Sequence, residues 1–103
     1  MIKIQKINIH KYHFELTSES GTTLLKSINY NTSKLVKEAS SDILNLRSNK
    51  IERKTNYNGK FLFSLKNEKG SLIGNSQLYQ SEAGMENGIK NLLSRINTLS
   101  EQI

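Results

Sequence analysis

Sliding the chain along itself by 49 positions, without a gap, aligns one half with the other. Lys11 falls on Lys60, Phe14 on Phe63, Leu16 on Leu65, Glu19 on Glu68 and Gly21 on Gly70. Further along, Ser27 meets Ser76, Tyr30 meets Tyr79 and Leu44 meets Leu93. Tyr12/Phe61, Leu24/Ile73, Thr32/Ser81, Val36/Met85 and Ile43/Leu92 match conservatively. The matches cluster at turn and core positions, as a repeated structural unit requires. Residues 2–48 and 51–97 are therefore read as two copies of one unit within a single domain, with 98–103 as the end of the last helix or a tail.

Each copy has the same plan. Tyr12, Phe14 and Leu16 recur at period two, as do Phe61, Phe63 and Leu65, which puts each set on one face of a strand. Glu19-Ser20-Gly21 and Glu68-Lys69-Gly70 follow as turns, with a glycine where a positive φ is needed. A second strand over about 22–27, and again over 71–76, completes an antiparallel hairpin. An extended stretch precedes each hairpin, at 2–9 and 51–55. Ile2 and Ile4 differ in parity from Ile7 and Ile9, so the first of these stretches is expected to bend or bulge. Asn56-Tyr57-Asn58-Gly59 is a strong turn signal before the next strand.

A helix closes each unit. Thr32 or Ser33 caps the first, whose apolar stripe is Leu35, Val36, Ala39, Ile43 and Leu46. Ser81 caps the second, with Glu82 in the first turn where the helix dipole favours an anion. Its stripe of Met85, Ile89, Leu92, Leu93, Ile96 and Leu99 is longer, whereas Ser40 stands where the second copy has Ile89. Three strands and a helix, repeated, predict an α+β domain. One unit of about 49 residues is marginal alone. Two units related by a pseudo-two-fold bury their stripes by sharing an antiparallel sheet with both helices on one face.

The second copy resembles the YegP-like family of small uncharacterised bacterial proteins. The resemblance rests on residues 58–66 (Asn-Gly-Lys-Phe-Leu-Phe-Ser-Leu-Lys), Gly70, residues 73–79 (Ile-Gly-Asn-Ser-Gln-Leu-Tyr), Ser81 and Glu86-Asn87-Gly88-Ile89. The first copy keeps Gly21, Ser27 and Tyr30 but has His10 for the turn glycine, Leu25 for Gly74 and Ala39-Ser40 for glycine-isoleucine. The resemblance implies tandem βββα units, single-unit relatives that pair as dimers, and no established function. The motif positions Gly21, Ser27, Tyr30, Gly59, Gly70, Ser76, Tyr79 and Gly88 are read as structural.

Little in the sequence carries chemistry. His10 and His13 are the two histidines, and a separation of three on a strand sends them to opposite faces. There is no cysteine, and no carboxylate cluster stands beside them, so no metal is expected. No cofactor-binding loop, nucleophile elbow or paired carboxylate is evident, and the reading is non-enzymatic. Gly84 and Gly88, one helical turn apart, are read as permitting close packing. No apolar run approaches the ~18 residues of a membrane span, and no signal-peptide pattern opens the chain. The expectation is a cytoplasmic protein with no membrane association.

Net charge is +6. Arg47, Lys50, Arg53 and Lys54 cluster where the first unit meets the second, a candidate anion or nucleic-acid surface. Stacking on nucleic acid needs exposed aromatics, and only Tyr57 is expected outside the core. The favoured reading is a small module that binds a protein partner. A basic nucleic-acid-binding domain is the alternative. A monomer is expected because a tandem unit satisfies its own pairing, with a homodimer left open.

Overall fold

A computed structural model describes residues 2–45 and 50–101. Its elements are β1 (Ile2–Asn8), β2 (Lys11–Thr17), β3 (Thr23–Ser27), α1 (Ser33–Asp42) with a 3-10 turn at Ile43–Asn45, β4 (Ile51–Thr55), β5 (Phe61–Lys66), β6 (Leu72–Asn75) and α2 (Glu82–Glu101). The strands form one six-stranded sheet in the order β1-β2-β3-β6-β5-β4, and every pairing is antiparallel.

The sheet joins at β3 and β6 through Lys26↔Asn75 and Ser27↔Gly74. Lys26 and Asn75 are themselves 49 positions apart, so a local two-fold passes through that pair. Other features recur at the same offset. Tyr12 bridges to Tyr30 and Phe61 to Tyr79. The Phe14 amide donates to Ser27 Oγ at 2.8 Å and the Phe63 amide to Ser76 Oγ at 3.0 Å. Gly21 and Gly70 both have positive φ, +93° and +85°.

Pairing places Phe14, Leu16, Leu25, Gly74, Leu65 and Phe63 on one face. There they join Val36 and Ile43 of the first unit and Met85, Ile89, Leu92 and Ile96 of α2 in a single buried cluster. Both helices therefore cover the same side. Each hairpin also carries a bulge: Leu16 pairs Leu25 while Thr17 pairs Thr23, leaving Leu24 as an extra residue. Leu65 with Gly74 and Lys66 with Leu72 leave Ile73 in the same position. Strict alternation would turn Leu24 and Ile73 away from the core, yet both are buried, because a bulge breaks the period-two pattern.

The two β-turns before the hairpins differ. Gly59 takes φ +78°, and Asn56 Oδ1 accepts from the amides of Asn58 and Lys60. The β4–β5 register then runs without a shift. In the first copy His10 stands in place of that glycine, no residue there has positive φ, and the register slips between Lys6 and Asn8. A side chain makes the left-handed conformation costly, so the first turn closes through an irregularity in β1.

Thr32 caps α1, accepting from the Leu35 amide at 3.1 Å, and Ser81 Oγ accepts from the Gly84 amide at 3.0 Å. Leu35, expected in the α1 stripe, is 45% exposed; Val36 and Ile43 carry the packing, and Leu46 lies outside the described residues. Ser40 is buried and donates its hydroxyl to the Lys37 carbonyl, so the polar replacement for Ile89 is satisfied within its own helix. No helix among the described residues is long and apolar enough to cross a membrane.

Candidate functional site

Of the basic residues singled out in the sequence, Arg53 and Lys54 lie on opposite faces of the sheet. Arg47 lies outside the described residues, and Lys50 immediately precedes β4. Arg53 pairs with Phe63 in the ladder, so it faces the helices. There its Nε and a terminal nitrogen donate to the two carboxylate oxygens of Glu86 at 2.5 and 2.9 Å. That bidentate pair holds the Glu86 carboxyl below its ordinary range. Lys54 pairs with Leu62 on the opposite face, 3.8 Å from Glu52. Alternation along a strand separates Arg53 from Lys54 as surely as it separates core from surface.

The motif positions hold the framework together. Ser27 Oγ accepts from Phe14 and donates to the Ile28 carbonyl, and Ser76 does the same between Phe63 and Gln77. The Tyr79 ring stacks on Phe63, with centroids 6.3 Å apart and planes at 16°. Its hydroxyl end lies directly over Gly88, where a β-carbon would sit 2.5 Å from Cζ. Gly88 thus makes room for a tyrosine, whereas at Gly84 the nearest atom to a β-carbon is Ser81 Oγ at 3.1 Å. Tyr30, in the first copy, has its hydroxyl pKa raised by burial and by the nearby Asp42 charge.

Two surfaces remain. The first is the sheet face away from the helices. One cross-strand row on it runs Lys3–Glu15–Lys26–Asn75–Ser64–Glu52 through all six strands. Lys11 shares the parity of Glu15, Lys54 shares that of Glu52, and Lys66 reaches Glu52 at 2.6 Å. Five lysines on this face therefore stand against two glutamates. His13 belongs to the same face, paired with Gln5. It is buried with Glu15 at 3.8 Å, and among the described residues neither ring nitrogen has a hydrogen-bond partner. No aromatic ring from the strands points this way; the exposed ring is Tyr57, in its turn.

The second surface is a groove of about 700 Å³ between the first hairpin turn and α2. Ser18, Thr22 and Leu24 line it from the first unit, Gln77, Tyr79, Asn87, Asn91 and Arg95 from the second, and Gly84 and Gly88 add no side chain to it. Arg95 enters it anchored, its Nε donating to the Thr17 carbonyl at 3.1 Å. Along α1, positions 49 residues earlier carry Leu35, Glu38, Ala39 and Asp42 in place of Gly84, Asn87, Gly88 and Asn91, so the small side chains belong to one half.

The family model described as Domain of unknown function (DUF1508) matches residues 56–94. Across nearly the whole chain, the sequence is 34% identical to the UPF0339 protein YegP of Escherichia coli O6:H1, covering 98% of this chain and 92% of that protein. This chain belongs to the YegP-like family. The UPF0339 protein PA0329 of Pseudomonas aeruginosa is also 34% identical, over 86% of this chain and 83% of that protein. The solution structure of E. coli YegP, a protein of unknown function, superposes with a TM-score of 0.86 at 26% identity, covering 93% of this chain and 84% of that one. The SO3888 protein of Shewanella oneidensis gives 0.83 at 25%, over 90% and 80%. These bacterial relatives are uncharacterised, so they fix the fold and leave the role to the surfaces.

The YegP-like motif positions are the ones that cap, turn and brace the two units. Neither surface is written in them. The lysine face is assembled by strand register from five separate segments, and the groove from three. The linear signal for the face is a lysine beside some of the inward-facing strand residues, as Lys11 precedes Tyr12, Lys26 follows Leu25 and Lys66 follows Leu65.

Proposed function

We propose that the protein is a non-enzymatic interaction module that docks an acidic protein surface on the helix-free face of its sheet. The observation that carries this reading is the charge of that face, five lysines against two glutamates in cross-strand register. Complementary charge fixes the register and speeds the encounter of partners more than it adds affinity. A protein partner is favoured over nucleic acid by the pattern as well as the sign. Glu15 interrupts the row between Lys3 and Lys26, and Glu52 engages Lys66 and Lys54. A phosphate track calls for an unbroken basic path and for stacking rings; a mixed row suits a partner that presents both signs.

The test is affinity capture from nuclease-treated bacterial lysate with the wild type and with the triple variant Lys3→Glu, Lys11→Glu, Lys26→Glu. An acidic protein retained by the wild type, released by salt and lost with the variant is expected. Identical captures by both forms, or binding that disappears with nuclease treatment alone, overturns the proposal.

A further inference from the structure

The groove beside α2 holds an arginine whose charge is poorly answered. The Arg95 side chain is only 16% exposed, whereas Glu19, its one ion-pair partner among the described residues, is 85% exposed on the hairpin turn. The closest approach is 3.6 Å, from a terminal nitrogen of Arg95 to Glu19 Oε1, too long for a hydrogen bond. A guanidinium drawn this far out of water is stabilised chiefly by directed hydrogen bonds to an anion. Its Nε is already committed to the Thr17 carbonyl. That bond orients the planar group and leaves its terminal nitrogens to meet a carboxylate as a fork.

We propose that Arg95 anchors a carboxylate-binding site in this groove, and that Glu19 is a built-in weak competitor for it. The lining fits an extended peptide segment around such an anchor. Thr22, Asn87 and Asn91 offer a hydroxyl and amides able to bond backbone groups, and Gly84 and Gly88 keep the path open. About 700 Å³ is in the size range of sites that enclose small ligands. The site is confined to one half of the molecule, since Glu38 and Asp42 occupy the corresponding places along α1 and would repel an anion. It lies on the helix side of the sheet and is independent of the lysine face.

The carboxylate has two natural sources, an acidic side chain or a chain terminus, and three tripeptides separate them. Acetyl-Ser-Glu-Ser-amide carries the first, acetyl-Ser-Ala-Ser with a free C-terminus the second, and acetyl-Ser-Gln-Ser-amide neither. Each is titrated into the full chain while the amide and arginine Nε–H resonances are followed by NMR. Saturable shifts at Arg95 and in residues 18–22 and 87–98 are expected with one of the two carboxylate peptides and absent with the neutral one. Glu19→Gln tightens that binding roughly two- to five-fold by removing an exposed ion-pair competitor. Arg95→Lys, which keeps the charge and loses the fork, weakens it, while Lys26→Glu leaves it unchanged. No saturable shift with either carboxylate, equal response to the neutral peptide, or no tightening in Glu19→Gln overturns the proposal.

Discussion

Gly88 sits mid-helix in α2, where glycine costs about 1 kcal/mol relative to alanine. Helix propensity alone therefore predicts that Gly88→Ala stabilises the protein. The packing predicts the reverse. A β-carbon at Gly88 overlaps the Tyr79 hydroxyl and lies 2.5 Å from Cζ and 3.1 Å from Cε1. The ring cannot swing away freely, since it stacks on Phe63 and its backbone is tied to Phe61 by two hydrogen bonds. Overpacking of this kind costs about 1–3 kcal/mol, so the net effect in the wild type is destabilisation of up to about 2 kcal/mol. In a Tyr79→Leu background the obstructing atoms are gone, and the same substitution should stabilise by about 1 kcal/mol. The double-mutant cycle thus carries a coupling of about 1–3 kcal/mol. Urea unfolding of the four proteins measures it. In a domain near this size, each kcal/mol moves the melting temperature by about 4–8 °C. Equal effects of Gly88→Ala in both backgrounds would refute the packing argument.

At the seam of the sheet, a β-carbon on Gly74 meets the Lys26 carbonyl oxygen and lies 2.9 Å from Ser27 Cα. Backbone cannot turn aside, so Gly74→Ala should cost about 3 kcal/mol by chemical denaturation. Ser27→Ala leaves the buried Phe14 amide without its acceptor and should cost about 1–3 kcal/mol in the same assay. The Glu86 carboxyl is held below its ordinary 4.5 by the hydrogen bond and charge of Arg53. Its contribution is therefore full above that pH and is lost as pH falls through the lower folded value; melts of wild type and Glu86→Gln should converge as pH drops from 5 to 3. The Tyr30 hydroxyl is raised above its ordinary 10.0 by burial and then by Asp42. That stabilisation is present below pH 10 and lost as pH rises through the folded value, and Asp42→Asn should lower one tyrosine transition in an absorbance titration near 295 nm.

The sequence disclosed elements more readily than surfaces, for physical reasons visible at particular residues. Phe61, Phe63 and Leu65 announce a strand because burial acts on every second residue of a strand with one covered face. Gly59 and Gly70 mark turns because only glycine takes positive φ cheaply. The bulges at Leu24 and Ile73 escape such rules, since an adjacent buried pair looks the same as an interruption of the pattern. Surfaces are less legible still. Arg53 and Lys54 adjoin in the chain and point to opposite sides, whereas Lys3 and Lys26, 23 positions apart, flank the same glutamate. Arg95 reads as an ordinary helix cation until the Thr17 carbonyl and the nearby turn show how far it is enclosed.

The pair at the two-fold has a consequence for stoichiometry. When two identical units meet about an axis, any residue on that axis must face its own twin, so a lysine there would confront a lysine. Within one chain the two places diverge freely: Lys26 keeps the charge, while Asn75 accepts the hydroxyl of the buried Ser64 at 2.6 Å. The face is thereby given a head and a tail. A docked molecule can distinguish one half from the other, and a single orientation is singled out where a symmetric dimer would offer two. If the proposed docking holds, one partner per chain is the expected stoichiometry.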